Sequence, residues 1–144
     1  MDMMAIRRRV LLGGKKVIDT SPKILQYGVR YITRGAISEY SDRCITDKYQ
    51  YEAVNQNQTL VTYGVESHLI TYKPDGSYLD YWTWNDTDGY SRNVINANSG
   101  YLACTLNTNR IDVSYAYLQE TGQILFAGKN SPYYGYTNIN DMPT

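Results

Sequence analysis

Short runs rich in Val, Ile, Thr and Tyr recur along this chain, each ended by Gly, Pro, Asn or Asp, and no stretch of helical length repeats its apolar residues with a 3.6-residue period. Such punctuation predicts an all-β chain, because helical and α/β folds need longer amphipathic segments. Ile6 to Leu12 and Lys15 to Ile18 flank Gly13-Gly14, a pair that readily supplies the positive φ angles of a tight hairpin turn. Ser21-Pro22 then breaks the chain. Lys23 to Thr33 reads as a long strand with a bulge at Gly28, followed after Gly35 by Ala36 to Tyr40. Arg43 to Val54 and Thr59 to Val65 read as strands on either side of the polar bend Asn55-Gln56-Asn57-Gln58.

The sharpest local signal is His68 to Lys73, then Pro74-Asp75-Gly76, then Tyr78 to Trp84. Proline presets its own φ and Asp-Gly suits the positive-φ positions, which predicts a hairpin. Beyond the loop from Asn85 to Gly89 come the strand Tyr90 to Ile95, the turn Asn96 to Gly100 and a meander. In Tyr101 to Leu106, Leu102, Cys104 and Leu106 share one face. In Arg110 to Leu118, Ile111, Val113, Tyr115 and Tyr117 oppose Asp112, Ser114 and Ala116, the period-two alternation of a sheet with one buried face. The turn Gln119 to Gly122 leads into Gln123 to Gly128. From Lys129 onward the tail, with Pro132, Pro143 and Tyr133-Tyr134-Gly135-Tyr136, reads as irregular and suited to ordering by a partner.

A chain of 144 residues, 42% hydrophobic and 19% charged, is expected to fold around one core. Regularly spaced short strands predict a single-domain antiparallel β-sandwich, jelly-roll or immunoglobulin-like, or a small barrel. Strand order stays open. Residues 1–21 read as a basic arm or hairpin, and residues 22–144 as a β-domain with an irregular tail.

Fourteen basic and fourteen acidic residues cancel, so no global field favours nucleic acid or anionic lipid. Arg7, Arg8, Arg9, Lys15 and Lys16 form a local basic segment, either a docking arm for an acidic partner or a solvated strand end. The apolar run Val10-Leu11-Leu12 is too short for a signal peptide, and nothing has the length of a membrane span. The expectation is a protein made in a cytoplasm, without membrane insertion. The glycosylation patterns at Asn57-Gln58-Thr59 and Asn85-Asp86-Thr87 then count as chance matches. Cys44 and Cys104 read as buried thiols, with a disulfide between them as the alternative.

Catalytic groups are sparse. His68 is the single histidine, which rules out a multi-histidine metal site within one chain and leaves any triad dependent on it. No Gly-x-Ser-x-Gly elbow accompanies it. Glu39, Glu52, Glu66 and Glu120 are available, but spacing along the chain singles out no acid pair. Asp86-Thr87-Asp88-Gly89 fails as a calcium loop, because Trp84 and Ile95 fall where its first and last acidic ligands belong. Gly13-Gly14-Lys15-Lys16 lacks the spacing of a phosphate loop. The chain is therefore expected to be no enzyme and to hold no metal or cofactor.

What remains is aromatic. Sixteen Tyr stand against one Phe and two Trp, and tyrosine serves equally as a strand former and as a rigid contact residue. Tyr78, Tyr81, Trp82, Trp84 and Tyr90 surround the loop carrying Asn85, Asp86 and Asp88, where rings beside amides suit the face and hydroxyls of a sugar. The competing reading makes Trp82 and Trp84, two apart and so on one sheet face, core or subunit-interface residues.

Tyr/Asn-rich strands such as Ile111-Asp112-Val113-Ser114-Tyr115-Ala116-Tyr117 and Leu125-Phe126-Ala127-Gly128-Lys129-Asn130 resemble, in style, the structural proteins of tailed bacteriophage particles: head fibres, capsid decoration proteins and fibre tips. That resemblance implies a virion protein made in the host cytoplasm. It further implies a homo-oligomer, often a trimer, docked on other virion proteins at one end and exposed at the other; a host surface glycan becomes a partner if the sugar-binding reading of the aromatic loop holds as well.

Overall fold

The computed structural model describes residues 18–83 and 89–143. Among the described residues, ten strands make two antiparallel sheets: β1 (Ile24–Tyr31), β2 (Ile37–Thr46), β3 (Tyr49–Gln50), β4 (Gln58–Tyr63), β5 (Val65–Tyr72), β6 (Tyr78–Trp82), β7 (Tyr90–Ile95), β8 (Tyr101–Asn107), β9 (Tyr115–Leu118) and β10 (Ile124–Ala127). The six-stranded sheet runs β1-β2-β8-β5-β6, with β3 also paired to β8, and the four-stranded sheet runs β10-β9-β4-β7. The sheets pack face to face without closing into a barrel, so the sandwich expectation stands and the barrel alternative falls. Among the described residues no helix is long and apolar enough to cross a membrane.

The core between the sheets follows from alternation. Leu102, Cys104 and Leu106 of β8 point inward, as predicted, and meet Leu60, Ile95, Ala116, Leu118 and Phe126 of the other sheet. Cys44 and Cys104 are free buried thiols. The Pro74-Asp75-Gly76 hairpin forms as expected between β5 and β6. Gly28 takes φ +77 at a register shift between β1 and β2, which is the predicted bulge.

Several expectations are corrected. Thr59 to Val65 is two strands, because Gly64 at φ +74 turns the chain from β4 in one sheet into β5 in the other. A Cβ on Gly64 would lie 3.1 Å from Cβ of Ser114, so the crossing also needs the small residue. Ala36 to Tyr40 and the start of Arg43 to Val54 merge into the single strand β2. The first part of Arg110 to Leu118 belongs to a 3-10 turn, Thr108–Val113, started by the Asn107 side chain accepting from the N–H of Asn109. Only Tyr115–Leu118 is strand. Its burial opposes what apolarity along the strand implies: Ser114, Ala116 and Leu118 face the core while Tyr115 and Tyr117 face out. Ala116 sits opposite Thr62, and Leu118 opposite Leu60, so small and aliphatic side chains fill the gap between sheets. The tail is irregular, yet its own chain holds it. Ile124 N–H donates to Thr137 O, and Gly135 N–H donates to Thr20 Oγ1. Thr20 also exchanges hydrogen bonds with Ala127, tying the chain to β10 from that residue on.

A second, smaller core covers the outer face of the six-stranded sheet. The β1–β2 hairpin folds over it, burying Val29 and Tyr31 against Ile70, Tyr72 and Ala103. Tyr31 anchors the fold-over: its N–H donates to Thr105 Oγ1 at 3.0 Å and its hydroxyl to Thr46 O at 2.6 Å. The anchor depends on His68, whose φ of 106 bulges β5 away from β8. That bulge leaves the His68 carbonyl off the ladder, and the Thr105 hydroxyl donates to it at 3.0 Å.

Candidate functional site: a tyrosine face on the four-stranded sheet

The aromatic set expected around residues 85–89 does not assemble from the described residues. Trp82 and Tyr81 are neighbours on β6 and so face opposite ways. Trp82 packs on the core between the sheets, whereas Tyr81 packs on the second core, its ring 5.9 Å from His68. Tyr78 is exposed at the hairpin end of β6, and Tyr90 stands on the other sheet, opposite Tyr63. Trp84, Asn85, Asp86 and Asp88 lie outside the described residues, as do the proposed docking residues Arg7, Arg8, Arg9, Lys15 and Lys16 and the hairpin read around Gly13-Gly14.

Tyrosines do gather elsewhere. Register on the four-stranded sheet places Tyr63 of β4 between Tyr90 of β7 and Tyr115 of β9, and Val61 between Arg92 and Tyr117. All point away from the core, because Leu60 and Thr62 on the same strand point into it. Ring centroids of Tyr63 and Tyr115 are 6.0 Å apart and nearly parallel, and those of Tyr115 and Tyr117 are 6.1 Å apart. From the tail, Tyr133 closes on both, at 4.6 Å from Tyr115 and 5.2 Å from Tyr117. Such tilted and offset contacts are the favoured ring geometries, each worth about 0.5–1.5 kcal/mol beyond area burial. Val61 beneath them is fully buried.

Polar groups frame the rings. Arg92 donates to Gln119 Oε1 and to the Tyr90 hydroxyl, the latter at 3.2 Å. The Arg110 guanidinium stands 5.8 Å from the Tyr63 ring. Glu120, beyond the end of β9, accepts from Thr59 N–H at 2.7 Å and from Thr59 Oγ1 at 2.9 Å. Partial burial disfavours its carboxylate, but those two hydrogen bonds outweigh burial and hold its pKa below the ordinary value. Burial first, and then the Tyr133 phenol, push Tyr117 up to about 12. Tyr115 is also raised, by burial and then by Tyr117, Tyr90 and Tyr63. At neutral pH Tyr115 and Tyr117 are therefore neutral phenols, with the charged Arg92 and Glu120 beside them.

This surface can hold a partner by flat aromatic contact and hydroxyl hydrogen bonds. The groups that would supply a nucleophile are placed differently. Burial pushes the Cys44 thiol up to about 11 and the Cys104 thiol higher still, so both stay protonated. Among the described residues no three His, Cys, Asp or Glu side chains gather around a point where a metal could sit. Sequence reasoning did not single out Tyr63, Arg92, Tyr117 or Tyr133 as a site. The alternation of Ser114 and Ala116 with Tyr115 and Tyr117 was legible, but it named two faces without marking which one is packed. No protein-family model, curated protein or solved structure matches this chain.

Proposed function

We propose that this chain is a non-enzymatic assembly module, a β-sandwich that contacts further copies of itself and a larger protein assembly through the tyrosine face. One observation carries the reading: the rings of Tyr63, Tyr115, Tyr117 and Tyr133 form a continuous layer on an outer sheet face, half-buried, with Tyr90 and Val94 exposed beside them. Rigid rings lose little side-chain entropy on docking, and Tyr and Arg are the residues that most often dominate interface energetics. A virion structural or attachment role is the setting we favour, on the strength of the sequence resemblance.

Solution mass tests it. The wild-type chain is expected to run as a multiple of its 16.5 kDa monomer in light scattering at high concentration. The double variant Tyr115→Ala/Tyr117→Ala is expected to run as a monomer with an unchanged far-UV circular dichroism spectrum. A wild-type protein that stays monomeric at high concentration overturns the self-association.

A further inference from the structure

Among the described residues four strands stand at sheet edges: β1 and β6 in one sheet, β10 and β7 in the other. An edge presents unpaired N–H and C=O groups that can template another strand, and proteins blunt it with bulges, covers or charge. Three of these edges are blunted. β1 has register shifts at Leu25 and Gly28. β6 bulges at Leu79, and the turn Thr33–Gly35 packs against it. The outer side of β10 is taken by its own chain, with Ile124 N–H donating to Thr137 O and Ala127 N–H to Thr20 O. Among the described residues β7 alone has no such device. Its ladder with β4 runs from Gln58/Ile95 to Tyr63/Tyr90 without a register shift. Its one charged side chain, Arg92, reaches over β4 to Gln119 Oε1, away from the open side, and also donates to the Tyr90 hydroxyl.

Hydrogen-bond alternation fixes which groups this edge offers. Gly64 N–H donates to Gly89 O at 2.8 Å, one step beyond the Tyr63/Tyr90 pair, and bonded pairs alternate along an antiparallel ladder. Ser91, Asn93 and Ile95 therefore bond to β4, while Arg92 and Val94 turn their N–H and C=O outward. The other side of β4 agrees, since Gln119 N–H donates to Thr59 O there.

Donors and acceptors at strand spacing are met by another strand, and β7 fits its own copy. In an antiparallel pair about a two-fold axis at Asn93, Arg92 of each copy faces Val94 of the other, and the outward groups of both residues are met by exchanged strand bonds. Val94 then packs on the aliphatic stem of Arg92. A register centred one residue earlier would set Arg92 against Arg92, like charges directly opposite. The axis stands perpendicular to the sheet, which keeps both tyrosine faces on one side.

We propose that β7 pairs with β7 of a second copy, antiparallel and centred on Asn93, joining two four-stranded sheets into one continuous sheet with a doubled layer of tyrosines. The inference rests on the self-association read from the tyrosine face: a few strand bonds hold a pair weakly, and copies gathered through their rings are at the local concentration that pairing needs.

Amide exchange and solution mass, both on the full chain, test it. In the wild-type assembly the Arg92 and Val94 amides are expected to exchange about tenfold or more slower than in a dilute, dissociated sample, while Ser91 and Asn93, held by β4, change little. Val94→Lys sets a cation opposite Arg92 of the second copy and is expected to halve the mass of the assembly and free both amides. Val94→Glu sets a carboxylate there and is expected to keep mass and protection. Val94 is 52% accessible, so both variants are expected to retain the wild-type far-UV circular dichroism spectrum. Unprotected Arg92 and Val94 amides in a wild-type assembly whose mass Val94→Lys leaves unchanged overturn the edge pairing and leave the tyrosine face standing. A pair that persists in Tyr115→Ala/Tyr117→Ala with both amides protected does the reverse: the edge holds and self-association through the rings falls. Protection in a dilute monomer also overturns the pairing, because a segment of the same chain then covers the edge. So does an equal loss in Val94→Glu and Val94→Lys, because Arg92 and Val94 then do not face each other.

Discussion

The outer faces of the two sheets carry the same residue type and treat it in opposite ways. On the six-stranded sheet, the β1–β2 hairpin brings its own Tyr31 down beside Tyr72, and Tyr31 is buried with its hydroxyl committed to Thr46 O. On the four-stranded sheet, Tyr63, Tyr115 and Tyr117 stand half-buried among one another. A tyrosine becomes a core residue when an element crosses over it and its hydroxyl meets a fixed acceptor. It becomes a contact residue when only other rings cover it. The hairpin that shields the first face is itself exposed on its far side, where Leu25 is 61% and Tyr27 63% accessible.

The strongest way to break the comparison is to truncate one ring on each face. Tyr31→Ala empties a packed site and orphans the acceptor at Thr46, and is expected to cost about 3–5 kcal/mol in urea unfolding. Tyr115→Ala removes ring contacts from a surface that solvent can refill, and is expected to cost about 1–2 kcal/mol. Equal losses would mean that the tyrosine face is a core in its own right.

A smaller effect isolates the seat of the hairpin. Gly35, in the turn Thr33–Gly35, takes φ +78, and a Cβ there would lie 3.1 Å from the Tyr72 hydroxyl. Gly76, in the β5–β6 turn, takes φ +89 with nothing within 4 Å of such a Cβ. Alanine at either position pays the left-handed backbone strain of about 1–2 kcal/mol. Only Gly35→Ala also presses on Tyr72, so it is expected to be the more destabilising of the two. It should further speed amide exchange at Tyr31, whose N–H is held by Thr105. Matching exchange rates in the two variants would show that the turn does not press the hairpin onto the sheet.

How much of this was legible in the sequence depends on how far each feature reaches. The Pro74-Asp75-Gly76 hairpin and the Gly28 bulge were readable, because turn and bulge chemistry is local to a few residues. The break at Gly64 was not, since one glycine inside an apolar run marks no change of sheet until Ser114 and Arg110 are seen packed against it. Alternation along Tyr115–Leu118 was visible, but alternation alone names two faces and does not say which is buried. That choice was made across the sheet, by Leu60 and Thr62. Trp82 was visible as a core or interface residue.

The smallest effect tests whether the tyrosine face is dry. Tyr117 is raised from 10 to about 12 chiefly by burial, with Tyr133 adding to it, so the folded state favours the neutral phenol. A group raised in this way contributes its full stabilisation below the unfolded value near pH 10 and loses it as pH climbs toward 12. The ring is partly exposed, and solvent screening reduces the contribution to roughly 1 kcal/mol. Tyr117→Phe has no proton to lose, so between pH 10 and 12 the wild-type protein is expected to lose stability relative to this variant by about that amount. Tyrosine 13Cζ shifts followed over the same range should show Tyr117 still protonated at the midpoint. Parallel decline of both proteins, or ionisation of Tyr117 near 10, would make the face an ordinary wet surface and remove the desolvation that the proposed docking relies on.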